Sequence, residues 1–117
     1  MNYKSKITRI GDMALEFLEG DFFIVFNDNA PEELAEISVL HTIEEVTEDI
    51  RVGNTVVISG KEYTVTAVGE EAIKTFRELG HCTFRFTGGS TVEQPGHVEL
   101  KGNGKPDIKV GDYIEIK

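Results

Sequence analysis

The 117-residue sequence predicts a mainly β protein, a closed or nearly closed barrel, with an α+β sandwich as the alternative. Two observations predict it. Motifs recur in the same order at a fixed spacing, which divides one domain (1–117) into structural repeats of approximately 1–59 and 60–117, each carrying one short helix. The segments between glycine-, asparagine- and proline-containing turns are short, alternating and rich in β-branched residues, as expected of many short strands closing on themselves.

The repeats are visible in two pairs of motifs. Ile-Thr-Arg-Ile-Gly-Asp-Met-Ala (7–14) returns as Val-Thr-Ala-Val-Gly-Glu-Glu-Ala (65–72), with three identical and three like-for-like positions. Ile-Arg-Val-Gly-Asn-Thr-Val-Val-Ile (50–58) returns as Ile-Lys-Val-Gly-Asp-Tyr-Ile-Glu-Ile (108–116), with four identical and three like-for-like. Both offsets are 58 residues. The first pair runs on to strands ending in Phe26 and Phe86, where the offset is read as 60. Halves of this size are too short to be separate domains, because each lacks the surface to close its own core.

Each element then follows from local chemistry. Lys4 to Ile10 alternates and is a strand; Asp12 to Glu19 is expected as a first short helix; Phe22 to Phe26 is the second strand. Asn27-Asp28-Asn29-Ala30-Pro31 is turn chemistry, with Asn29 placed to cap a helical turn over 31–35. Ile37 to Ile43 reads as a strand and Glu44 to Asp49 as an exposed acidic connection. Ser59-Gly60-Lys61 is a tight turn joining Val56–Ile58 to Tyr63–Val68 as a hairpin. Ala72, Ile73, Phe76 and Leu79 then recur at helical spacing. Glu70 and Glu71 lie near the start of that helix and Lys74 and Arg77 nearer its end, complementing the macrodipole. Gly80 supplies the left-handed stop, and a strand carrying Cys82, Phe84 and Phe86 on one face follows. After the Gly/Ser/Thr-rich 87–96 segment come the strand His97–Lys101, a loop over 102–106 and the last repeat motif.

Composition narrows the function classes. A formal net charge of −9 opposes a nucleic-acid backbone, so no nucleic-acid partner is expected. No apolar run approaches the roughly 20 residues of a membrane span. The N-terminus shows no signal core, and the one cysteine, Cys82, agrees with a reducing compartment; a cytoplasmic location is expected. Phosphate loops, paired cysteines and His-x-x-His spacing are absent, and no metal or cofactor is predicted.

Three histidines, His41, His81 and His97, remain as the candidate chemistry. His41 lies on an apolar strand, on the face of Val39 and Ile43 and opposite Ser38 and Thr42; taken alone it reads as a core histidine before a nucleophile. His81 follows the helix-stop glycine, where a cation meets the negative end of a dipole. His97 reads as a surface strand start, and Cys82 as a small core hydrophobe. Exposed strand edges would make a homodimer plausible.

A resemblance changes the weighting. Ile-Thr-Arg-Ile-Gly near the start, Asn-Ala-Pro-Glu-Glu-Leu before a strand ending in histidine, and Thr-Ala-Val-Gly followed by Arg-Glu-Leu-Gly-His-x-Thr-x-Arg-Phe-x-Gly span essentially the whole chain. Together they resemble the glucitol/sorbitol-specific IIA component of the bacterial phosphotransferase system. The resemblance implies a small cytoplasmic β-barrel phosphocarrier. Such a carrier accepts a phosphoryl group from the phosphohistidine of HPr and passes it to a cysteine of a IIB component, for uptake and phosphorylation of glucitol/sorbitol. The family's acceptor histidine follows the Ala-Pro-x-x-Leu segment on the next strand, which is His41 in this sequence. His81 belongs to the Glu-Leu-Gly-His motif and is expected as a neighbour of the site, and Glu44 and Glu45 are expected to point away from it. A non-enzymatic interaction barrel is the alternative reading. A sugar-binding module is disfavoured, since there is no Trp to stack on a sugar face.

Overall fold

The computed structural model describes residues 1–117. Eight strands form one closed barrel: β1 (Tyr3–Ile10), β2 (Phe22–Asn27), β3 (Val39–His41), β4 (Thr55–Ile58), β5 (Lys61–Val68), β6 (Cys82–Arg85), β7 (His97–Lys101) and β8 (Tyr113–Ile116). Around the barrel the order is β1-β3-β2-β6-β7-β5-β4-β8. Four strands come from each half of the sequence. Four antiparallel pairs join the halves: β2–β6, the β4–β5 hairpin, β4–β8, and β1–β8, which closes the ring with β1 against the last strand. Every strand has two neighbours, so the edge-to-edge route to a dimer expected from the sequence has no free edge to use.

The same construction appears in both halves. A long strand (β1, β5) pairs antiparallel with a later one (β3, β7), and each ladder shifts register once, at Ile7/Arg9 and at Val65/Ala67. That later strand lies parallel to β2 or β6. Immediately after each long strand a glycine lets two backbones touch. A Cβ on Gly11 would stand 2.1 Å from the Ala35 carbonyl oxygen, and one on Gly69 2.1 Å from that of Pro95. Their N–H groups donate to the Ser38 and His97 carbonyls, each at 2.9 Å. The glycine of the repeated motif is thus demanded by a close approach, at the same place in both halves.

Alternation fills the barrel interior. Tyr3 and Ile7 from β1, Phe23 and Val25 from β2, Val56 and Ile58 from β4, Tyr63 and Val65 from β5, and Ile114 and Ile116 from β8 belong to one core of 21 buried residues. The helix α2 (Glu70–Leu79) adds Ala72 and Phe76 to it. Cys82 lies in the same core, and burial pushes its thiol far above the ordinary range.

Several elements differ from expectation. The residues read as a first helix, Asp12 to Glu19, form turns and a 3₁₀ helix (Glu16–Gly20) that buries no side chain. With no buried stripe to anchor it, propensity alone does not sustain an α-helix. The helix α1 (Glu32–Ala35) is a single turn with Pro31 at its N-cap; Asn29 does not cap it. The strand expected over 37–43 is only Val39–His41, and Ile43, 56 % exposed, lies beyond it. The connection over 44–49 is not wholly exposed, since Val46 joins the core.

The pairing of Phe26 with Phe86 at an offset of 60 also fails. Phe86 packs on the main core beside Phe23 and Tyr63, whereas Phe26 joins Ala35 and Leu40 in a small cluster outside the barrel. Strand alternation requires an odd offset here, matching Phe23 and Val25 to Cys82 and Phe84.

Candidate functional site

β3 is short because its last residue is at once a ladder partner and a turn. His41 lies opposite Ile7 of β1 and beside Asn27 of β2. Its carbonyl accepts from the Asp28 N–H at 2.8 Å, and the next residue is fastened to β1: Thr42 N–H donates to the Lys6 carbonyl at 2.9 Å and Lys6 N–H donates to Thr42 Oγ1 at 3.0 Å. These bonds fix the backbone on both sides of His41 and turn its ring inward, where it is 0 % exposed.

The ring is held between elements far apart in sequence. Nδ1 lies 2.9 Å from the Thr42 carbonyl oxygen and 3.4 Å from the Tyr3 hydroxyl. Nε2 lies 2.8 Å from the Gly80 carbonyl oxygen. A neutral imidazole has one N–H donor and one acceptor nitrogen, while carbonyls only accept. Both carbonyls are therefore satisfied together only by a ring bearing both N–H groups. In a neutral ring one carbonyl faces a lone pair, and the Tyr3 hydroxyl is the group that can donate to Nδ1 when Nε2 carries the proton. Burial pushes the Tyr3 hydroxyl up to about 12, so it remains a neutral donor near physiological pH. Its ring meets Phe76 of α2 edge-on, with centroids 5.0 Å apart.

Gly80 reaches His41 because α2 ends with it in the left-handed conformation, at φ 60°. Its N–H donates to the Phe76 carbonyl at 3.0 Å and that of His81 to the Thr75 carbonyl at 3.2 Å, closing the helix end. The approach is as tight as it can be. A Cβ on Gly80 would stand 2.0 Å from Asn27 Oδ1 and 2.7 Å from His41 Cε1.

The neighbouring His81 is brought to the same place. Its Nδ1–H donates to the Val25 carbonyl at 3.0 Å, and its ring lies on Phe26 with centroids 4.7 Å apart. No hydrogen bond joins the His81 and His41 rings; the two residues are linked by the backbone of Gly80. His97 is elsewhere, at the start of β7. It is half-buried with Nδ1 unpartnered, a departure from the surface position expected, and burial, then the Arg85 guanidinium, lowers its pKa. On that side Arg85 and Glu99 form an ion pair at 3.5 Å, with Glu99 only 2 % exposed and bonded by the Thr87 hydroxyl. They occupy the places that Phe26 and Leu40 take in the first half.

The electrostatics around His41 are those of a closed site. Two carbonyls and the negative end of the α2 dipole face it. Glu44 is exposed and accepts from Thr42 Oγ1–H at 2.9 Å, on the face of β3 away from the His41 ring. Arg77, in the last turn of α2, is committed to Asp49 at 2.6 Å and the Val46 carbonyl at 3.0 Å. No cavity opens on the ring, and no three His, Cys, Asp or Glu side chains converge to hold a metal. Sequence reasoning singled out His41 and His81 but missed Tyr3, Asn27 and the contact made by Gly80. Tyr3 carried one usable signal, its place in the inward alternation with Ser5 and Ile7.

Comparison with known proteins agrees with this architecture. The model of the family described as "PTS system glucitol/sorbitol-specific IIA component" matches residues 2–115. The glucitol/sorbitol-specific EIIA component of the PTS from Escherichia coli K12 is 36% identical over 115 residues, covering 98% of this chain and 94% of that protein. The protein of the same description from Shigella flexneri matches with the same identity and coverage. Among solved structures, a PTS system IIA component from Enterococcus faecalis V583 superposes with a TM-score of 0.83. It is 24% identical, and the match covers 96% of this chain and 97% of that one, a likeness of fold.

Proposed function

The chain belongs to the PTS glucitol/sorbitol-specific IIA component family, a phosphotransferase component that relays phosphoryl groups, and we propose that it carries the phosphoryl group on His41. The observation that carries this reading is the holding of the ring. His41 has both nitrogens engaged by backbone carbonyls, and its Nδ1 partner, Thr42, is the adjacent residue of its own chain segment and moves with the ring. The Nε2 partner, Gly80, belongs to a different element and can leave without disturbing the ring. Once it leaves, Nδ1–H bonded to Thr42 fixes the tautomer in which Nε2 holds a lone pair, the arrangement a phosphoryl acceptor needs.

The transfer is an in-line exchange. The N–P bond of phospho-HPr breaks as the Nε2–P bond of His41 forms. That bond breaks in turn as an S–P bond forms on the cysteine of the IIB component. The proton on Nδ1 stays in place throughout. The Asn27 amide and the Tyr3 hydroxyl, both beside the ring, are the side chains that can donate to phosphoryl oxygens. HPr as donor, IIB as acceptor and glucitol or sorbitol as the sugar come from the family reading, and with them a place in the cytoplasm. No helix of the chain is long and apolar enough to cross a membrane.

Labelling with phosphoenolpyruvate, enzyme I and HPr tests this. One acid-labile phosphate per chain is expected, and none in His41→Gln. Phosphate retained by that variant would move the acceptor to another histidine.

A further inference from the structure

A phosphorus atom in line with His41 Nε2 must occupy the space now filled by the Gly80 carbonyl, 2.8 Å away. The Gly80–His81 turn therefore has to move before any transfer, and what fastens it decides how it moves. Resting on the acceptor reading above, we propose that His81 is a positioning residue, the latch that ties this turn down over His41 and releases it when the phosphoryl donor docks.

The bonds at the end of α2 fall into two groups. Gly80 N–H to Phe76, His81 N–H to Thr75, and the Thr75 hydroxyl to the His81 carbonyl at 2.6 Å all lie within the helix and its cap. These travel with the helix end and do not fix it to the barrel. Besides the Gly80 carbonyl on His41 itself and the β2–β6 pairing that begins at Cys82, the His81 side chain makes the crossing contacts. Nδ1–H reaches the Val25 carbonyl of β2 at 3.0 Å, and the ring packs on Phe26 at 4.7 Å. Val25 and Phe26 stand on β2 beside Asn27, the residue in register with His41. Latch and acceptor are thus anchored to adjacent strands, so breaking the His81 contacts frees Gly80 without disturbing β3. Gly80 is also the natural pivot, since glycine moves between left- and right-handed backbone at no steric cost.

The test reads exposure of His41 directly. Diethyl pyrocarbonate acylates accessible neutral imidazole, and peptide mass analysis gives the rate at His41, with His97 as internal reference. In the wild-type protein His41 should acylate far more slowly than His97. His81→Ala should raise the His41 rate roughly fivefold, the factor that one hydrogen bond contributes, with the His97 rate unchanged. His81→Asn, whose amide donates from about the position of Nδ1, should restore slow acylation. A change that came only from general loosening would raise both rates together and would not be rescued by Asn. Equal His41 rates in the wild-type and Ala proteins, or equally fast Ala and Asn variants, would overturn the proposal. The acylation rate reads the latch and the phosphate label reads the acceptor, so either can fail without the other.

Discussion

Gly80→Ala is the substitution on which the description of the site depends most directly. Two costs add. The residue sits at φ +60°, where an L side chain is disfavoured by about 1 kcal/mol relative to glycine. The new Cβ would also overlap Asn27 Oδ1 at 2.0 Å and His41 Cε1 at 2.7 Å. Asn27 can swing aside, but the His41 ring is held at both nitrogens, so relief must come from displacing the turn. Overpacking of this kind costs about 1–3 kcal/mol, which brings the expected total to about 2–4 kcal/mol. Gly104→Ala separates the two terms. Gly104 has a similar φ, +70°, and only the flexible end of Lys61 comes near, at 3.3 Å. It should cost about 1 kcal/mol, the backbone term alone. Urea unfolding of both variants, followed by far-UV circular dichroism, measures the difference. With an m-value of about 1–3 kcal/mol/M, Gly80→Ala should lower the midpoint by roughly 1–2 M and Gly104→Ala by clearly less. Equal losses would refute the argument, because they would mean that nothing is packed against position 80 and that His41 is not sealed by it.

Two further outcomes follow from the structure. Gly11→Ala and Gly69→Ala should each cost about 3 kcal/mol or more, since the added methyl meets backbone that cannot rotate away; a mild effect at either, read by the same unfolding assay, would contradict the close approach. His97 gives a pH effect. Burial, then Arg85, lowers its folded pKa below the unfolded value near 6.5, so the unfolded chain binds the proton first and its share of stability is lost as pH falls through that value. Unfolding midpoints from pH 7.5 to 5 should fall less steeply in His97→Asn than in the wild type, and identical slopes would count against that environment.

Much of the fold was legible in the sequence because it rests on local rules. Alternation marked the strands that carry Ile7, Val65 and Ile116 into the core, and the repeated Val-Gly-Asn/Asp motif marked turns in which Gly53 and Gly111 both have positive φ. The helix over 70–79 followed from its apolar stripe and Gly80 stop. The first helix failed because its 3₁₀ stretch, Glu16–Gly20, buries no side chain, so packing does not extend it into an α-helix. The Phe26–Phe86 match failed because a face is set by parity along a strand, which similarity of residue type does not reveal.

For the site, the sequence by itself determined that His41 stands on an inward strand position and that a glycine ends the helix before His81. It did not contain their meeting. The Nε2–Gly80 contact spans 39 residues and exists only because β3 lies parallel to β2 while α2 packs over β2 and β6. Tertiary structure alone decided that the histidine is buried, that two carbonyls and a tyrosine hydroxyl meet its nitrogens, and that the His81 ring bonds to β2. The physical reason is that strand and helix periodicities constrain near neighbours, whereas the distant partner of a buried ring is chosen by barrel closure, which brings the Gly80 carbonyl within 3 Å of Nε2.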